Sequence, residues 1–119
     1  MISHKFDFGD NKDLAEKLKK LVLSGKKTAT TSLYNKNEKV PKAGEYAEIL
    51  DSDKKHFCVV QYIDVEIKNF LDVNFDFIQK EGEGDKNIEE WREKHRKFFS
   101  LNTDDVLVVC EEFKLILNN

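Results

Sequence analysis

The chain has 119 residues, 39% hydrophobic and 36% charged, with a formal net charge of −3. That is enough for one domain, residues 1–119, whose core needs no disulfide or metal staple. Its longest apolar run is the five residues 106–110, far short of the roughly 20 that a membrane-spanning helix requires, so no membrane partner is expected. The opening MISHKFDFGD has no apolar segment of the kind a secretory signal needs. Cys58 and Cys110 each sit in an apolar stretch and read as reduced core thiols of a cytoplasmic protein. Charge is unevenly spread: residues 1–42 carry a net +5 and residues 43–119 a net −8. This excludes the broad basic face of a duplex-DNA coat but leaves room for a local basic cleft that takes a short single strand or one nucleotide.

The first clear element is a helix over about Asp13 to Leu23. Leu14, Leu18, Leu21 and Val22 form one apolar stripe, Asp10, Asn11 or Asp13 can cap its start, and Gly25 can end it. KTATTSLY, Lys27 to Tyr34, is rich in β-branched Thr and reads as a strand. After a polar loop, Glu45 to Leu50 and His56 to Ile67 read as an antiparallel hairpin. A short helical stretch ends near Lys80, an acidic glycine-interrupted loop follows, and Asn87 to Phe99 forms a helix opened by Asn87 with Glu90 three residues on. Asp105 to Leu117 is a long strand whose apolar parity changes near Glu111 and Glu112, which predicts a bulge or a core on both faces. Two or three helices packed outside a small mixed or antiparallel sheet closed into a barrel, an α+β fold, fit this order.

Three groups of residues carry chemistry. GKKTATT, Gly25 to Thr31, sets two Lys beside three Thr at a helix-to-strand junction. A desolvated Lys can act as a base and a deprotonated Thr oxygen as a nucleophile. On a regular strand Lys27 shares a face with Ala29 and Thr31, and Thr28 shares one with Thr30. EGEGD, Glu81 to Asp85, alternates three carboxylates with glycines that allow tight turns, so the acids can be gathered for proton transfer or around a divalent ion. Trp91, Arg92 and His95 lie on or beside one helix face and suit stacking on a base and pairing with phosphate. Each group also has a purely structural reading: a Thr-rich edge strand, a solvated acidic loop, and an amphipathic helix with Trp91 in the core. No paired zinc-ligand spacing occurs, and no metal or cofactor is expected.

FDFGDNKDLAEKLKKLVLSGKKTATTSLY, PKAGEYAEILDS, FLDVNFDFIQKEGEGDKNIEEWREKHRKFF and VLVVCEEFKLI occur in an order that resembles ASCH-domain proteins of the PUA-like β-barrel superfamily, over Phe6 to Ile116. The resemblance implies a PUA-like barrel with a cleft for RNA or a small nucleoside. Some small bacterial relatives are amidohydrolases that remove the acetyl group from acetylcytidine, using a Lys and a Thr of a G-x-K-x-x-T motif with a downstream Glu. Carried over, these positions are Lys27, Thr30 and Glu81. Beside them, the residues themselves offer Glu83 and Asp85 to shape the mouth of the cleft and Thr28, Trp91, Arg92 and His95 as candidate substrate contacts. Other relatives are ribonucleases acting on single strands. This chain is closer to relatives with the E-G-E-G-D loop than to the compact amidohydrolases, which lack most of it, and its Phe99–Val106 segment is shorter than is typical. The resemblance leaves three readings: a hydrolase of a modified nucleoside, a single-stranded RNA-binding module without turnover, and a metal-assisted ribonuclease.

Overall fold

The computed structural model of the protein describes residues 2–9 and 11–118, without the side chains of Leu117 and Asn118. The elements run β1 (Ile2–Asp7), α1 (Lys12–Leu23), β2 (Ala29–Leu33), β3 (Tyr46–Leu50), β4 (His56–Asn69), a 3₁₀ turn (Phe70–Asp72), α2 (Phe75–Lys80), α3 (Ile88–Phe98) and β5 (Leu107–Asn118). Asn11 caps α1 by accepting from the Leu14 amide, Asn74 caps α2, and Asn87 caps α3 by accepting from the Glu90 amide. Asp10, the other candidate cap, lies outside the described residues. Among the described residues no helix is long and apolar enough to cross a membrane.

The five strands form one mixed sheet in the order β1-β3-β4-β5-β2, antiparallel except for the parallel β1–β3 pair. The sequence pattern does not locate β1. It is a partly exposed edge strand, so ISHKFD shows no strong apolar alternation. The α+β class and the outer helices agree with expectation. The expected closure takes another form: the hydrogen-bonded ladder ends at β1 and β2 and leaves a seam, so the sheet is barrel-like rather than closed.

Two apolar clusters hold the sheet. Ala15, Leu18 and Val22 of α1 pack on Ala47, Ile49, Val60 and Phe113. Phe70, Val73, Ile78 and Trp91 pack on Val108 and Cys110. β5 therefore has core on both faces. Val108 and Cys110 face α2 and α3, while Val109, Glu111 and Phe113 are buried on the other face in regular alternation. The apparent change of parity reflects this two-sided burial. The nearby ladder irregularity is in β4, between Tyr62 and Asp64.

Candidate functional site

The site forms where the two sequence motifs, more than fifty residues apart, meet. Beyond α1, Gly25 at φ +83° turns the chain, and the amides of Lys26 and Lys27 both donate to the Leu21 carbonyl. This carries the Lys27 side chain inward. The Thr28 amide then donates to the Lys80 carbonyl at 2.8 Å, fastening the start of β2 to the end of α2. At Gly82 (φ +69°) a side chain is sterically excluded, because an added Cβ would lie 2.6 Å from the Lys26 carbonyl carbon.

Lys27 is 2% exposed. Its Nζ donates to the Ala29 carbonyl at 2.8 Å, Glu83 Oε2 at 3.0 Å and the Glu81 carbonyl at 3.5 Å. Three acceptors use the three protons of an ammonium, so in this arrangement Lys27 is a fixed positive charge with no lone pair to offer as a base. Burial alone would push the Glu83 carboxyl up, but the charge and hydrogen bond of Lys27, aided by Lys94, outweigh it and hold Glu83 below the usual carboxylate range.

The Glu81 side chain is buried and fully engaged. Oε2 accepts from the Thr31 hydroxyl at 2.6 Å and Oε1 from the Trp91 indole N–H at 2.9 Å. His95 stacks on Trp91 with ring centroids 4.2 Å apart. Its Nδ1 lies 2.9 Å from the Trp91 carbonyl, which only accepts, so Nδ1 carries a proton. The other nitrogen, Nε2, is 3.8 Å from Glu81 Oε1.

These groups border a cavity of about 490 Å³ at the seam of the sheet. Consecutive residues of both edge strands line it, His4 to Asp7 on β1 and Thr30 to Ser32 on β2. Neighbours on a strand point to opposite faces, so the cavity wraps over both edges. Tyr62, Glu111, Lys27, Glu81, Glu83, Lys94 and His95 also line it.

Of the residues expected from sequence, Lys27, Thr30, Glu81, Glu83 and His95 border the cavity. The hydroxyl that meets the Glu81 carboxylate is that of Thr31, while Thr30 faces the cavity from the opposite side of the strand. Four residues do not border it. The Thr28 hydroxyl donates to the Lys80 carbonyl, Asp85 pairs with Lys94 at 3.0 Å, Trp91 is fully buried in the second cluster, and Arg92 turns to Glu89 and the Leu71 carbonyl. Of the three acids of EGEGD, Glu81 bonds to Thr31 and Trp91, while Glu83 and Asp85 share Lys94 and Glu83 also holds Lys27. Among the described residues no group of three or more His, Cys, Asp or Glu is placed to hold a metal ion. Both cysteines are free and buried, with thiols pushed up by burial to about 11 for Cys58 and about 12 for Cys110.

Sequence reasoning does not single out Glu111, a 9% exposed acid on β5 that borders the cavity. The available signal was a pair of acids, Glu111 and Glu112, inside a largely apolar strand. Burial lifts its carboxyl to about 7. Its folded value lies above the usual value of 4.5. The cost of burying its charge is therefore absent at low pH, grows as pH rises between these values, and is complete above about 7. Replacing Glu111 by Gln is expected to stabilise the protein at about pH 8 by up to about 3 kcal/mol and to leave it unchanged at about pH 4. Denaturant unfolding at the two pH values measures this, and an equal effect at both would contradict the buried-charge account.

The architecture is that of a small α+β domain with a polar cavity in an open sheet seam. The chain belongs to the ASCH domain family, whose model matches residues 4–117. The chain is similar to the crystal structure of a protein from Enterococcus faecalis, 31% identical over 98% of this chain and 81% of that one, with a TM-score of 0.82. It is also similar to the ASCH domain from Lactobacillus crispatus, 30% identical over 96% of this chain and 80% of that one, with a TM-score of 0.82. The ASCH protein of Zymomonas mobilis, 13% identical over 87% of this chain and 69% of that one with a TM-score of 0.61, shares the fold. No curated protein matches the chain.

Proposed function

We propose that the protein is a small hydrolase that removes an acyl group from the amino group of a modified nucleobase, of the acetylcytidine type, in the seam cavity. The observation that carries this reading is the convergence of Lys27, Thr30 and Glu81 on one cavity of about 490 Å³, a size suited to a nucleoside. The family's association with RNA binding supports a nucleobase as the ligand. Lys27 supplies the fixed positive charge that stabilises the oxyanion formed when an amide is attacked. Glu81, held by Thr31 and Trp91, keeps a carboxylate beside His95 Nε2, and together they pass a proton toward the leaving amine. The test is acetylcytidine deacetylation by wild type, Lys27→Ala and Glu81→Gln. Each substitution is expected to slow turnover by about 100-fold or more, and equal rates in all three proteins would reject these roles.

The second reading is a single-stranded RNA-binding module without turnover. Lys5 and Lys39 at the cavity border favour it, since they can meet phosphates of a strand whose base enters the cavity. Affinity for short single-stranded RNA that falls with salt, together with no acetylcytidine turnover, would select this reading.

A further inference from the structure

We propose that Thr30 and Glu111 form the reacting pair of the cavity: the Glu111 carboxylate takes the Thr30 hydroxyl proton, and the Thr30 oxygen attacks the acyl carbonyl of an N-acylated nucleobase. This rests on the hydrolase reading above and adds a proton acceptor to it.

Three observations support the pair. First, Thr30 and Glu111 are directly opposite in the antiparallel β2–β5 ladder. Opposite residues project to the same face with Cβ atoms about 4.5–5.5 Å apart, and both side chains border the cavity. Second, among the described residues no hydrogen bond or ion pair engages the Thr30 hydroxyl or the Glu111 carboxylate, although Glu111 is only 9% exposed. A largely buried acid that borders the cavity and bonds to no protein group is open to a ligand there. Third, the other candidate bases are engaged. Lys27 has three acceptors on its ammonium, and both Glu81 oxygens accept from fixed donors. Burial, which lifts Glu111 to about 7, gives it both protonation states near neutrality, as a group that first takes and then returns a proton requires.

The step balances without a redox partner. The Thr30 proton moves to Glu111 as the Thr30 oxygen bonds to the acyl carbon. The C–N bond breaks, and the departing exocyclic nitrogen takes a proton through His95 and Glu81, leaving an acyl ester on Thr30. Water then attacks the ester and returns a proton to His95 and Glu81. The C–O bond to Thr30 breaks, and Thr30 recovers its proton from Glu111 as the carboxylic acid leaves.

A β-lactone probe, which acylates activated hydroxyls, tests the pair apart from the natural substrate. Mass spectrometry of the wild type is expected to find the probe on Thr30. Glu111→Gln, with an unchanged circular-dichroism spectrum, is expected to label at least about 100-fold more slowly, Glu111→Asp to recover part of the rate, and Thr30→Val to label nowhere in the cavity. No labelling of Thr30 in the wild type, or equal labelling in Glu111→Gln, would overturn the pair. Deacetylation of acetylcytidine at equal rates by wild type and Glu111→Gln would overturn the pair and leave the hydrolase reading intact. Glu111-dependent labelling of Thr30 without acetylcytidine turnover would support the pair and overturn the assigned substrate.

Discussion

Replacing Lys27 by Met is expected to lower stability by about 3 kcal/mol at neutral pH, because it removes the main partner of a largely buried carboxylate and one donor from two backbone carbonyls. Lys94, 3.7 Å from the other Glu83 oxygen, keeps the loss from being larger. The pH dependence identifies the cause. In the wild type Glu83 is held below the usual carboxylate value, so its contribution is present above that value and is lost as pH falls through the folded one. Without Lys27, burial dominates and raises Glu83, so the variant recovers stability relative to the wild type as pH falls. Thermal unfolding from neutral pH down through the carboxylate range measures the difference. A gap between the two proteins that stays constant with pH would refute the assignment, and Glu83→Gln added to Lys27→Met is expected to recover part of the loss at neutral pH.

Gly82→Ala is expected to cost about 2–4 kcal/mol, combining a left-handed backbone with a steric clash. The clash is with the Lys26 main chain, which no rotamer change relieves. Gly84 provides the control: it also has positive φ, +85°, but an added Cβ meets nothing within 4 Å, so Gly84→Ala is expected to cost only about 1 kcal/mol. Denaturant unfolding of the two variants measures the contrast, and equal losses would show that the close approach of the two motifs is unimportant. Because Gly82 sits between Glu81 and Glu83, displacing it also moves both carboxylates.

Several parts of the molecule are readable from local pattern. The α1 stripe, the Asn87 cap and the Thr-rich strand depend on neighbours within a few residues, and each appears close to its expected bounds. Trp91 belongs to the core rather than to a stacking platform, yet its indole reaches Glu81, so the helix and the acidic loop are linked through a buried hydrogen bond. Arg92 shows the limit of the same reasoning. Helical spacing places it beside Trp91, but only packing shows that its guanidinium turns to the Leu71 carbonyl.

The amino-acid order alone determined the secondary elements other than β1, the α+β class and the two motifs whose residues border the cavity, because periodicity, capping and glycine placement act over short stretches of chain. Tertiary structure decided which hydroxyl meets Glu81, left the seam between β1 and β2 open, and set Glu111 across from Thr30. Those depend on strand register and edge pairing between distant segments, where a slip of one residue would send each side chain to the other face.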